Sequence, residues 1–198
     1  EQYTINGSKL FITNGDVADT FVVFTTHDKS LGNKGFDCFI IEKDCQGFSA
    51  NRQTGKMGMR ASSTAELVFK DCRVFEENRI GGEGEGFGQT MEILNSSRIS
   101  IAAQSVGLAQ AAYEASLEYA QHRETFGKQI GDFQGIQWSI ADMAMNIDAA
   151  RLLVRRAATL KDAGRLYVTE ASMAKLYSSK VATDTTNKAV QIHGGTGY

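Results

Sequence analysis

Apolar and polar positions change period once along this chain. Up to about residue 80 the apolar residues come in short runs broken by Gly, Asn and Asp. Tyr3-Thr4-Ile5 and Lys9-Leu10-Phe11-Ile12-Thr13 flank Asn6-Gly7-Ser8, which predicts a hairpin built on a pair that tolerates positive φ. Thr20 to Thr26 is β-branched and aromatic, and Gly35 to Glu42 centres on Cys38-Phe39-Ile40-Ile41. Phe48 to Gln53 and Glu66 to Phe75 supply two further runs. Short strands at this spacing predict an antiparallel sandwich or barrel.

From Gln89 onward the period is 3.6. Val106, Ala109, Tyr113, Leu117 and Ala120 step by three and four residues, as do Ile136, Ile140, Met143, Ile147, Ala150 and Val154. Each set is one apolar stripe of an amphipathic helix. Gly164 closes the second helix, with Arg155, Arg156 and Lys161 near its end, where cations favour the helix dipole. A third helix spans about Tyr167 to Gln191 and stops at Gly194-Gly195. Long helices with short connections predict an up-down bundle. The expected fold is therefore α+β. An antiparallel β-sandwich or barrel occupies residues 1–82, and three helices of a four-helix bundle occupy 83–198.

Composition narrows the partners more than the chemistry. The chain has 198 residues, 42% apolar and 22% charged, with 21 basic against 23 acidic side chains. A net charge of −2 gives no reason to expect nucleic acid or an anionic membrane. No apolar run approaches the roughly 20 residues that span a bilayer. Cys38, Cys45 and Cys72 have no metal-ligand spacing, and their odd number argues against a disulfide framework, so they read as reduced thiols. Proline is absent where average usage predicts about ten. The chain starts inside a strand-like run and stops after a glycine-rich stretch, so it reads as a piece of a longer protein.

Four stretches could carry chemistry. Arg123-Glu124-Thr125-Phe126-Gly127-Lys128-Gln129-Ile130-Gly131-Asp132-Phe133-Gln134 is the turn between two helices. Its guanidinium can fork two hydrogen bonds onto a pyrophosphate, and Phe126 can pack on a ring. A surface arginine and a turn-filling phenylalanine would look the same locally. In Phe11-Ile12-Thr13, alternation puts Phe11 and Thr13 on one face, where they could support a flat heterocycle; an ordinary strand end is the plainer reading. The glycines of Gln191-Ile192-His193-Gly194-Gly195 allow close backbone approach to a ligand, or simply cap a helix. In Asn95-Ser96-Ser97-Arg98 the arginine lies among apolar neighbours, and if buried it needs a carboxylate or a ligand; a polar face turned to solvent is the plainer reading. Gly81 to Gly88 does not fit a phosphate loop, carries Glu83 and Glu85, and reads as a flexible junction. His27, His122 and His193 pair with no ligand at metal spacing, and no nucleophile elbow is present.

Taken together, the chain resembles the acyl-CoA dehydrogenase family. The resemblance rests on Ile5 to Gly15, Lys56-Met57-Gly58-Met59-Arg60, Leu67 to Val74, Arg123 to Lys128 and Gln191 to Gly195, in the family's order. It implies the later part of the family's β-domain and most of its C-terminal bundle. It also implies FAD as cofactor, with Phe11, Ile12 and Thr13 against the flavin. Phe11 stands where a tryptophan is common. The segments of Arg123, Glu124, Thr125, Phe126, Phe133, Gln134 and Gln191, Ile192, His193, Gly194, Gly195 then hold the adenosine-diphosphate half, in the family that of a neighbouring subunit. Asn95, Ser96, Ser97 and Arg98 match a segment that contacts acyl-CoA.

The implied reaction is α,β-dehydrogenation of an acyl-CoA to a trans-2-enoyl-CoA, with electrons passed to an electron-transfer flavoprotein. The catalytic base is a carboxylate expected beyond Tyr198. In a few branches it stands at the position of Ser97, which cannot replace it, so the chain alone is expected not to turn over. The family is usually a tetramer, a dimer of dimers, in the bacterial cytoplasm or the mitochondrial matrix. Rival readings are a flavin oxidase of the same fold and a scaffold that lost catalysis. Gln46, Ser63, Phe75 and Gln129 stand where the family often has proline.

Overall fold

The structure is a computed structural model that describes residues 1–198. The chain forms two compact units, Glu1–Met91 and Glu92–Tyr198. In the first, strands β1 (Gln2–Thr13), β5 (Thr64–Phe75) and β4 (Phe48–Arg52) form one antiparallel sheet in that order, and β2 (Thr20–Thr26) pairs with β3 (Phe36–Glu42) in another. Ile5, Leu67, Phe69, Cys72 and Val74 from one sheet meet Phe21, Val23, Phe39 and Ile41 from the other in a single core. The two sheets stay open, so this is a sandwich and not a barrel.

The expected hairpin at Asn6-Gly7-Ser8 does not form. β1 runs straight through it, paired with β5 along its length. The register instead slips between Ile5 and Gly7, where β5 carries the extra residue and Asp71 has φ of 51°. The Asn6 side chain spans the bulge, accepting from the Asp71 N–H at 2.8 Å and donating to its carboxylate at 3.2 Å. The Asn-Gly pair thus bends the strand without reversing it.

Gly81 to Gly88, expected as a flexible junction, is fastened in the first unit. The Gly84 N–H donates to the Asp37 carboxylate at 2.9 Å, and the Gly82 N–H to Glu85 at 2.8 Å. Helix α1 then begins at Gly86 and runs to His122.

In the second unit α1 packs with α2 (Gln134–Asp162) and α3 (Val168–His193). Small residues let the helices approach closely. Ala102, Ala157 and Ala174, one from each helix, form one layer. Val106, Ala109, Ile147, Ala150 and Val181 form the next, and Ala120, Ile130, Met143, Ala189 and Ile192 close the bundle at the α1–α2 turn. Gly164 follows α2 at φ 64° and Gly194 leaves α3 at φ 57°, ψ −131°, both positive-φ positions at the helix ends the sequence predicts. No helix is long and apolar enough to cross a membrane.

Candidate functional site

The C-terminus of α1, the N-terminus of α2 and the C-terminus of α3 meet at one end of the bundle, around Ala120, Ile130 and Ile192. The α1–α2 connection there is more structured than a plain helical turn. Strands β6 (Glu124–Thr125) and β7 (Lys128–Gln129) pair as a miniature hairpin. Its two-residue loop has positive φ at both positions, 49° at Phe126 and 81° at Gly127. That geometry favours Asn, Asp or Gly, and a phenylalanine in the left-handed region is an outlier. The strained loop pushes the Phe126 ring out, 94% exposed. Its edge faces Phe133, with centroids 6.5 Å apart and planes at 86°, and the Lys128 ammonium lies 4.3 Å from the Phe133 centroid.

Arg123 is exposed and takes part in none of the chain's ion pairs. Its backbone is fixed on both sides, N–H to the Tyr119 carbonyl at 2.9 Å and carbonyl from the Ile130 N–H at 2.8 Å. Glu124 and Gln134 are exposed, while Thr125 and Phe133 are half-buried.

At the end of α3, Ile192 is buried and Gln191 is exposed. The His193 ring stacks on Tyr119 at 4.4 Å with planes 24° apart. Its Nδ1 lies 2.8 Å from the Ala189 carbonyl, which can only accept, so Nδ1 carries a proton and donates. A Cβ placed on Gly194 or Gly195 would meet nothing within 4 Å, so this backbone stands open to an approaching group. The structure therefore brings the Arg123–Gln134 and Gln191–Gly195 stretches to the same end.

Asn95–Arg98 lies elsewhere, beside the α2–α3 connection. The Arg98 guanidinium, half-buried, donates to the Asn95 amide oxygen at 2.6 Å and to the Ser172 hydroxyl at 3.4 Å, with no carboxylate in ion-pair range. The Ser96 hydroxyl accepts from Lys161. The Ser97 hydroxyl donates to its own helix, at the Leu94 carbonyl, 3.0 Å.

In the first unit, Phe11 sits in a second bulge of β1, where Leu10 and Phe11 together oppose the single Glu66 of β5. Its φ of 60° turns the ring outward, 73% exposed. Ile12 packs against the core and Thr13 is exposed, paired in register with Thr64.

Sequence reasoning missed one cluster in this unit. Asp37, 2% exposed, accepts a 2.6 Å hydrogen bond with His27 Nδ1 and a second from Gly84. His27 Nε2 lies 3.9 Å from Glu83, which also faces Arg79 at 3.7 Å. The Asp37 hydrogen bond raises the His27 pKa, with desolvation opposing and the charges of Asp37, Glu83 and Asp28 adding to the rise. The only sequence signal was one acid inside an apolar run, Phe36-Asp37-Cys38-Phe39. No three His, Cys, Asp or Glu side chains come together as a metal cluster.

Residues 1–72 match the family profile "Acyl-CoA dehydrogenase, middle domain", and residues 84–198 match "Acyl-CoA dehydrogenase, C-terminal domain". The chain belongs to the acyl-CoA dehydrogenase family. It is 51% identical to the short-chain specific acyl-CoA dehydrogenase of Clostridium acetobutylicum, over 100% of this chain and 52% of that protein. A chain in a solved structure of the electron transferring flavoprotein of Acidaminococcus fermentans, studied for flavin-based electron bifurcation, is 51% identical with a TM-score of 0.94. That match covers 100% of this chain and 52% of the other. A structure described as PigA with FAD and proline is 32% identical at a TM-score of 0.95, over 98% of this chain and 51% of that one. The chain thus spans about half the length of the relatives it matches. The acyl-CoA dehydrogenase C-terminal profile begins two residues before α1, and the middle-domain profile ends inside β5.

Proposed function

We propose that this chain supplies the FAD-gripping and thioester-positioning parts of an enzyme that converts a short-chain acyl-CoA to its trans-2-enoyl-CoA. The observation that carries this reading is the convergence at one bundle end of an unpaired guanidinium, two aromatic rings and open glycine backbone. These features fit a dinucleotide. Arg123 can fork onto the diphosphate, the Gln134 and Gln191 amides can bond polar edges, and Gly194-Gly195 lets a bulky group lie against the chain. As in the family, the FAD held there would serve a neighbouring subunit's site.

Phe11 and Thr13 fit the flavin end, one as an exposed flat surface and the other as an exposed hydroxyl. The bound flavin supplies two-electron oxidation of the Cα–Cβ bond. Within Asn95–Arg98, Arg98 is held by neutral groups alone, so its charge is left for the substrate or for a carboxylate that handles it. The α-proton needs a base in contact with it. Ser97 is engaged with its own helix and is no base, so we place the carboxylate after Tyr198 and expect residues 1–198 alone not to turn over. Electron-transfer flavoprotein as acceptor and assembly as a dimer of dimers complete the proposal.

The test uses the whole protein. Anaerobic addition of a short-chain acyl-CoA should bleach the flavin band, with slow recovery in air. Prompt peroxide formation would replace the dehydrogenase with the oxidase reading, and an unchanged spectrum with bound flavin would support a non-catalytic scaffold.

A further inference from the structure

Cys45 and Cys72 are 27 residues apart in sequence, yet their sulfurs lie 3.1 Å from each other. A disulfide bond measures about 2.05 Å, so only about 1 Å of approach separates the pair from bonding. Cys72 belongs to β5 and is fully buried in the sandwich core. Cys45 stands in the β3–β4 connection, half-exposed, with its thiol 3.3 Å from the Arg73 carbonyl. It lines an open cleft of about 430 Å³ beside Glu42, Asp44, Gln46 and Arg73. The connection is pressed onto β5 at this point: a Cβ on Gly47 would fall 2.3 Å from the Lys70 carbonyl oxygen and 3.0 Å from Cys72 Cα. Cys38, the third thiol, is buried and has no sulfur neighbour.

We propose that Cys45 and Cys72 are an oxidisable dithiol, a redox modification site in which peroxide enters at Cys45 and Cys72 resolves the product into a disulfide. The division of labour follows from exposure. A peroxide reaches Cys45 through the cleft and not Cys72. In the first step the Cys45 thiol and hydrogen peroxide give a sulfenic acid and one water. In the second the Cys72 sulfur attacks the Cys45 sulfur; the S–O bond breaks, the S–S bond forms, and the Cys72 proton leaves with the hydroxyl as a second water. Two thiols lose two electrons and the peroxide gains them. The bond fastens the β3–β4 connection to β5, and reduction by a small thiol releases it.

The experiment treats the whole folded protein with a modest excess of hydrogen peroxide, quenches with an alkylating reagent under denaturing conditions, and maps the peptides by mass spectrometry. The expected product is one cross-linked peptide pair joining Cys45 to Cys72, lighter by two hydrogens than the separate thiols, with Cys38 alkylated. In Cys72→Ser, Cys45 should stop at the sulfenic acid and be trapped by a dione reagent. Cys45→Ser should leave Cys72 a thiol under the same dose. Sulfinic acid at Cys45 with Cys72 still alkylated in the wild-type chain would overturn the proposal, as would a disulfide that involves Cys38. The wild-type result decides the matter even if a variant fails to fold.

Discussion

The Tyr119 ring stacks on the His193 ring at 4.4 Å and ties the last turn of α1 to the end of α3. The contact aligns the two stretches proposed to grip the cofactor, one after Tyr119 and the other at Gln191–Gly195. Its loss should therefore act on stability and on flavin together. Tyr119→Ala is expected to cost roughly 2–3 kcal/mol, less than a fully buried aromatic, and to lower flavin content. Tyr119→Phe should spare both, because the hydroxyl makes only a 3.4 Å contact to Thr196. Thermal unfolding and the flavin-to-protein absorbance ratio read the two effects.

Phe126 makes the opposite trade. An exposed ring at φ 49° costs stability and returns no burial. Phe126→Asn creates the Asn-Gly pair that a two-residue loop of this geometry prefers, and should stabilise the chain by about 1 kcal/mol. The same change removes a proposed ligand surface, so the melting temperature should rise while FAD binds more weakly. A rise in both would assign the phenylalanine no part in the grip.

The His27–Asp37 pair sets a pH dependence in the first unit. The hydrogen bond raises the folded pKa of His27 above its ordinary 6.5. Its stabilisation is fully present below 6.5 and is lost as pH rises through the folded value. Denaturant unfolding of the chain from about pH 6 to about pH 9 should show stability falling, and His27→Gln should flatten that part of the curve. Asp16 works at the other end of the scale. The Ser63 hydrogen bond lowers its pKa below 3.8, so its contribution disappears only in acid.

Gly86 opens α1 against the backbone of Asp37. A Cβ there would lie 2.7 Å from the Asp37 carbonyl carbon and 2.9 Å from its N and Cα. Backbone atoms cannot swing aside as a side-chain tip can. Gly86→Ala should cost roughly 2–3 kcal/mol by overpacking, measured by chemical denaturation, whereas Gly88→Ala, with open space around it, should not destabilise.

Most of the architecture was legible because periodicity encodes burial. The stripes at Val106–Ala120 and Ile136–Val154 face the interior, and Gly164 and Gly194 end their helices as expected. The errors fell where local signals had two structural uses. Asn6-Gly7 suits a hairpin turn and also a bulge, and only pairing with Asp71 across 65 residues decides between them. The glycines from Gly81 to Gly88 read as slack, but their missing side chains let the backbone press onto Asp37. The miniature β6–β7 hairpin was invisible because Phe126 is the wrong residue for its turn. Of the candidate site, only the family resemblance grouped the segments of Arg123 and His193, and the fold shows that they share one bundle end. The freedom of Arg123 from any acid and the neutral partners of Arg98 needed the fold.

Arg123 is proposed to grip the diphosphate of FAD. Arg123→Ala in the whole protein, reconstituted with added FAD and followed by flavin fluorescence, tests it most directly. Loss of a charge-assisted pair of hydrogen bonds should weaken FAD about 10- to 100-fold, with the melting temperature of the flavin-free protein unchanged. An affinity equal to wild type would contradict the account.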